Sequence, residues 1–168
     1  MNRKTGIKRI VVGLDGSQAA QAALGWTVDL ASSVGADVVA VHAIEPVPAV
    51  EYAFAYNAVM PLSLDDAWRA EIKGEFEGKW CGELEESGLA YRSILADGRA
   101  ADALTEVADR CDADLVVVGR RGRGSVAELL LGSVSHELSH RCRRPVVLIS
   151  CGREAGHKVE PAASAARA

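Results

Sequence analysis

The four cysteines of this 168-residue chain, Cys81, Cys111, Cys142 and Cys151, form no C-x-x-C pair. That removes the zinc-ribbon and dithiol redox motifs, and buried, inert thiols in a reducing compartment are expected instead. No apolar run approaches the length of a bilayer span. The N-terminus, MNRKTGIKRIVVGLDGS, has too short an apolar run before Asp15 for a secretory signal, so the cytoplasm is the expected location. A basic excess is missing as well. The net charge is −4, which argues against a general nucleic-acid binder. There is no internal repeat, and neither a GK[ST] phosphate-loop ending nor a G-x-G-x-x-G fingerprint occurs after a strand.

What is present is a soluble globular composition, 49% hydrophobic and 25% charged. A chain of this length buries roughly 70% of its unfolded surface as one domain, so no disulfide or metal staple is required. The most informative stretch is GRRGRGSVAELLLGS, from Gly119 to Ser133. An apolar run, Leu115 to Val118, precedes it and a helical pattern follows from Val134. Strand, glycine loop and helix make a phosphate-binding arrangement. Glycines admit positive φ and close approach of an anion, and the unpaired N–H groups at a helix start supply donors and partial positive charge. Ser133 is expected to serve as N-cap or as a hydroxyl donor to phosphate. Local cations are at hand in Arg120, Arg121 and Arg123, and in Arg141, Arg143 and Arg144.

Along the chain, apolar strands alternate with helical segments. Lys8 to Leu14 reads as a strand buried on both faces. Asp15, Gly16 and Ser17 form a turn and cap, and a helix follows with Ala22, Ala23, Trp26, Leu30 and Val34 on its apolar face, stopping at Gly35. Asp37 to Ile44 repeats the buried strand. The proline-containing stretch from 46 to 62 is expected to be a loop packed on its own surface, or else a lid or dimer contact. Trp68, Ile72, Phe76, Trp80 and Leu84 recur every four residues, which predicts an amphipathic helix ending near Gly88. A third strand is expected at Leu89 to Leu95. Asp97 and Gly98 then turn into a helix with Leu104, Val107, Ala108 and Cys111 on one face. Asp114 to Val118, a helix from about Ser133 to Cys142, and a strand from Pro145 to Ile149 complete the domain, 1–152. The tail, 153–168, is expected to be disordered. Five strands alternating with helices imply α/β class, an open parallel sheet with right-handed crossovers and helices on both faces.

The glycine spacing is sharper than the composition. Gly119, Gly122, Gly132 and Ser133 give glycine, two residues, glycine, nine residues, glycine, serine. With VVGLDGS at Val11 to Ser17, VVAVHAIEP at Val38 to Pro46 and GSVSHELSHRCRRPVVLI at Gly132 to Ile149, this pattern resembles the ATP-binding branch of the universal stress protein family. The resemblance runs from about Gly6 to Ser150. It implies a three-layer α/β/α sandwich of the adenine nucleotide alpha hydrolase type, with strand order 3-2-1-4-5. The order reverses between strands one and four, where ligands of such sheets bind, and Asp15 would then face the glycine loop across one crevice.

The resemblance also implies roles. ATP, with Mg²⁺, is the expected ligand. Gly13 and Ala43 would hold the adenine, Asp15 would accept hydrogen bonds from ribose or adenine as well as capping the first helix, and Gly119 would turn the chain out of its strand. Backbone N–H groups of Gly122, Gly132, Ser133 and Val134 would hold phosphates. Ser135 reads as a helix-surface serine that reaches toward phosphate or Mg²⁺ only as a second choice. One departure stands out: the family often has a small hydroxyl residue and histidine after Gly119, and this chain has Arg120 and Arg121, with solvent the expected place of at least one. A homodimer through the apolar strand Val146–Ile149 and a regulatory protein partner are implied, with a nucleotide-dependent role in a stress response.

Three competing readings remain. Slow ATP hydrolysis or phosphoryl transfer lacks a Walker lysine and an obvious general base beside the loop. ATP-pyrophosphatase chemistry would need SGGxDS where this chain has GLDGS. HELSH at His136 to His140 matches the H-E-x-x-H zinc-peptidase pattern, but only His42 and His157 remain to supply a third histidine ligand, and solvent-facing histidines are expected there.

Overall fold

The structure is a computed structural model; it describes residues 6–45, 62–122 and 131–151, and the side chains of these except 62–65. The expected loop at 46–62, the expected tail, Arg123 and His157 fall wholly or almost wholly outside that set. Five parallel strands, β1 (Arg9–Gly13), β2 (Asp37–Ile44), β3 (Tyr91–Asp97), β4 (Leu115–Gly119) and β5 (Val146–Ile149), form one sheet in the order β3-β2-β1-β4-β5. This is the expected fold class. The β1 and β4 interiors are apolar on successive residues because both faces are covered, and Ile10, Val11, Val12, Val116 and Val117 are each 0% exposed.

One layer packs helix α1 (Gln18–Val34) and the helical segment before β3 against the face carrying Ile10, Val12, Val38 and Ala40. The other packs α4 (Ala100–Arg110) and α5 (Ser133–Arg141) against Val11, Val39, Val41 and Val116. Arg144 pins the entry to β5. Its Nε donates to Asp109 at 3.1 Å, and its Nη1 donates to Asp112 and to the Ala113 carbonyl at 3.0 Å each.

Helix α1 starts and ends as expected, with Ser17 Oγ accepting from Ala20 N–H at 3.2 Å and Gly35 in the left-handed region at φ 70°. Its buried face differs. Ala20, Ala23, Leu24, Thr27 and Ala31 are buried, whereas Trp26 and Val34 are 38% and 46% exposed. Small residues win the inward position because they let the helix approach the sheet closely, and the larger side chains fall to its flank.

The four-residue repeat also resolves differently. Helix α2 (Leu62–Glu75) passes into a π-helical turn at Phe76–Trp80 and then into a short α3 (Gly82–Ser87), which ends at Gly88 with φ 67°. A repeat of four drifts by about 40° per step on an α-helix of 3.6 residues per turn. The wider π turn corrects the drift where burial matters: Phe76, Trp80 and Leu84 are at most 3% exposed, while Trp68, uncorrected, is 41% exposed.

Strand β3 begins two residues later than expected. Leu89 N–H is taken by Ser87 Oγ at 3.2 Å, and register with β2 sets in only when Tyr91 meets Val38. The cysteines divide: Cys81 and Cys111 are buried, Cys142 is half-buried, and Cys151, against expectation, is exposed because it follows the last strand out of the sheet. Burial first, and then the Glu77 and Glu85 carboxylates, push the Cys81 thiol up to about 11.

Candidate functional site

The C-terminal ends of β1, β2 and β4 open into a cavity of about 640 Å³. It lies where strand order reverses between β1 and β4, the place such sheets present to a ligand. Gly13, Asp15, Ala43, Gly119, Gly122, Gly132, Ser133 and Val134 all lie on its wall. Residues as far apart in sequence as 13 and 134 are brought together because three parallel strands and one helix start end at the same level.

Asp15 leaves β1 and closes a small turn, its Oδ1 accepting from Ser17 N–H at 2.9 Å. Ser17, and not Asp15, is the helix cap. Asp15 reaches the glycine loop: a Cβ built on Gly122 would stand 2.7 Å from Asp15 Oδ2. The two ends expected to face each other across the crevice are therefore in contact range at this edge.

Gly119, Gly122 and Gly132, the loop glycines among the described residues, work by closeness and not by handedness. None of Gly119, Gly122 and Gly132 has a positive φ, in contrast to what the loop reading leads one to expect. A Cβ on Gly119 would come within 2.7 to 2.8 Å of the Ala19 backbone and Cβ, and one on Gly132 within 3.3 Å of the Arg120 carbonyl and the Arg121 Cα. Gly119 thus lets the start of α1 lie against the end of β4.

Gly132 is the N-cap of α5, with β-region dihedrals and no side-chain cap, so Ser133 is the first helical residue instead of the cap. The N–H of Gly132 is already donated to the Arg120 carbonyl at 3.0 Å, which takes it out of the set of expected phosphate donors. The first-turn amides of Ser133, Val134 and Ser135 have no carbonyl partner inside the helix and begin at the cavity wall. Ser135 is not on the helix surface. It is 2% exposed, and its hydroxyl donates toward the Gly119 and Arg120 carbonyls at 2.9 and 3.1 Å, so it ties the start of α5 to the loop.

Other wall residues, Arg121 apart, did not stand out in the sequence as parts of this site. Leu14, Val41, Leu104 and Val118 make the apolar part. Glu45 and His42 flank it, and His42 Nδ1 donates to the Leu14 carbonyl at 2.7 Å while its ring meets Trp80 edge-on at 4.8 Å. Arg121 also lines the cavity, whereas Arg120 contributes through its backbone, its N–H donating to the Ile149 carbonyl at 2.7 Å. Position at a strand's carboxyl end was the available signal for Leu14, His42 and Glu45.

The H-E-x-x-H histidines are exposed on α5 with ring centroids 4.7 Å apart, and Glu137 Oε1 is paired with Arg99 at 2.5 Å. Among the described residues no group of three histidine, cysteine or acidic side chains is placed to hold a metal ion. No helix among them is long and apolar enough to cross a membrane.

Comparison with known proteins gives a consistent picture. The family model described as "Universal stress protein family" matches residues 6–150. A universal stress protein of Thermus aquaticus is 32% identical over 143 residues, covering 84% of this chain and 98% of its own length. One from Mycolicibacterium smegmatis is 32% identical over 150 residues, which is 88% of this chain and 50% of that protein, so the chain spans about half of that relative. Among solved structures, a universal stress protein in complex with cAMP superimposes with a TM-score of 0.65 at 24% identity, covering 88% of this chain and 100% of the other.

Proposed function

The chain belongs to the universal stress protein family, and from that premise we propose that its cavity binds an adenine nucleotide, ATP with Mg²⁺, whose occupancy sets a conformation read by a regulatory partner in a stress response. The observation that carries this reading is the convergence of a carboxylate, three close-packed glycines and the first turn of a helix on one cavity of about 640 Å³ at the sheet's switch point. The parts sort by chemistry. Apolar Leu14, Val41, Leu104 and Val118 suit a flat base, with the Gly13 and Ala43 backbone at its edge. Asp15 suits ribose hydroxyls. The amides of Gly122, Ser133 and Val134 suit phosphate. Mg²⁺ held with the nucleotide would supply charge neutralisation for the phosphates, and the Ser133 hydroxyl on the cavity wall would be available to hold it. The solved relative held with cAMP supports an adenine ligand in this fold. A cytoplasmic homodimer paired through β5 completes the proposal.

The test is a calorimetric titration of nucleotide-stripped protein with Mg-ATP, beside Gly122→Val and Asp15→Ala. Micromolar binding, about 8 kcal/mol, is expected for the wild type. Gly122→Val should abolish it, since the new side chain meets both the Asp15 carboxylate and the phosphate path. Asp15→Ala should weaken it. Absence of heat from the stripped wild-type protein would overturn the reading.

A further inference from the structure

Resting on the nucleotide reading of the cavity, we infer that Arg121 makes the site selective for the polyphosphate tail, so that a nucleoside triphosphate is held in preference to the monophosphate. Among the described residues Arg121 is the one arginine or lysine on the cavity wall. Its Nε is buried with no hydrogen-bond partner. A guanidinium N–H withdrawn from water without an acceptor is costly, and the group's planar fork is complementary to paired phosphate oxygens.

Placement gives the orphan its ligand class. Arg121 lies between Gly119 and Gly122, and its Cα stands 3.3 Å from where a Cβ on Gly132 would be, so it is seated at the first turn of α5, beside the amides that suit a phosphate. Those amides carry only partial charge, roughly +0.5 at the helix start, and serve the one phosphate set against it. Each further phosphate brings more negative charge toward a wall that already holds two carboxylates, Asp15 and Glu45, the first of them in contact range of the glycine loop. Arg121 is the side chain that offsets this charge. It has little to add for a monophosphate already satisfied by the helix start.

The experiment titrates the full chain with ATP, ADP, AMP and inorganic tripolyphosphate, as wild type, Arg121→Gln and Arg121→Lys, with thermal melting as the check on folding. The wild type is expected to prefer ATP to AMP by tenfold or more. Arg121→Gln should lose at least tenfold in ATP affinity and less than threefold in AMP affinity, and Arg121→Lys should fall between. If the glutamine variant does not fold, the lysine variant decides by the same ratio. Equal losses for ATP and AMP, or an unchanged ATP-to-AMP ratio, would overturn the inference while leaving nucleotide binding intact. Arg121-dependent binding of tripolyphosphate with no binding of any nucleotide would overturn the adenine reading and, with it, the inferred preference among nucleotides. If nothing binds, both fall.

Discussion

Gly119 shows how a single missing Cβ joins stability to the site. The atom an alanine would add sits 2.7 Å from the Ala19 carbonyl carbon, in the backbone of α1's first turn, where no flexible side chain can yield. Gly119→Ala therefore has to push α1 off the end of β4, and with it the turn that carries Asp15. The expected cost is about 1–3 kcal/mol, as for other overpacked positions, read as a lower urea midpoint, and the same variant should lose nucleotide affinity. Unchanged stability would mean that the helix start gives way freely. The positions of these glycines were legible in the sequence, because their spacing is a pattern. Their reason was not, since closeness to Ala19 or to Asp15 depends on segments about one hundred residues away. Ser135 was missed for the same cause: its burial follows from the Gly119 and Arg120 carbonyls above it, which no periodicity in α5 announces.

Among the elements, the helical segment before β3 departs furthest from what its pattern suggests. The every-fourth-residue repeat was legible, but a repeat of four is neither an α-helical nor a strand period, and the chain meets it with a π turn at Phe76–Trp80. Gly78 sits on the solvent side of that turn with nothing within 4 Å of a built Cβ. Gly78→Ala should stabilise the protein by about 0.5–1 kcal/mol through lost freedom of the unfolded chain. Deleting Gly78 should do the opposite. It rotates Trp80 and Leu84 by about 100° from the core, and a loss of about 3 kcal/mol or more is expected, on the scale of truncating a buried tryptophan. Denaturation of both variants, with near-UV dichroism to follow Trp80, checks the pair; a neutral deletion would mean the π turn does not set the buried face. In α1 the period was legible and Ala23 was placed correctly, but Trp26 and Val34 were grouped with it by apolarity alone, where close packing favours the small residues and leaves the two larger ones exposed.

At the scale of the molecule, the sheet has two edges and they are not alike. Strand β3 carries exposed Arg92 in its interior and ends at Asp97, whose carboxyl the Arg69 guanidinium at 2.6 Å holds below its ordinary value. Charged side chains along an edge discourage pairing. Strand β5, VVLI, carries none, and all four of its side chains are only half-buried. A continuous apolar run could mark β5 as a strand in the sequence, yet only the strand order, which came with the family resemblance, placed it at an edge. Pro145 and Ile149 turn their carbonyls to β4, accepting from Val116 and Arg120 at 2.9 and 2.7 Å, so by the alternation of a ladder Val146 and Leu148 turn their N–H and C=O groups outward. The proposed dimer pairs on that outer row. Val146→Pro removes one outward donor and places a ring in the path of a partner strand, while the bonds to β4 stay, as proline is tolerated on an edge. The expected outcome is a dimer dissociation constant raised at least tenfold in sedimentation, with the monomer's melting temperature little changed. A wild type that sediments as a monomer at micromolar concentration, or a variant that dimerises undiminished, would rule out pairing through β5 and leave that edge exposed in solution.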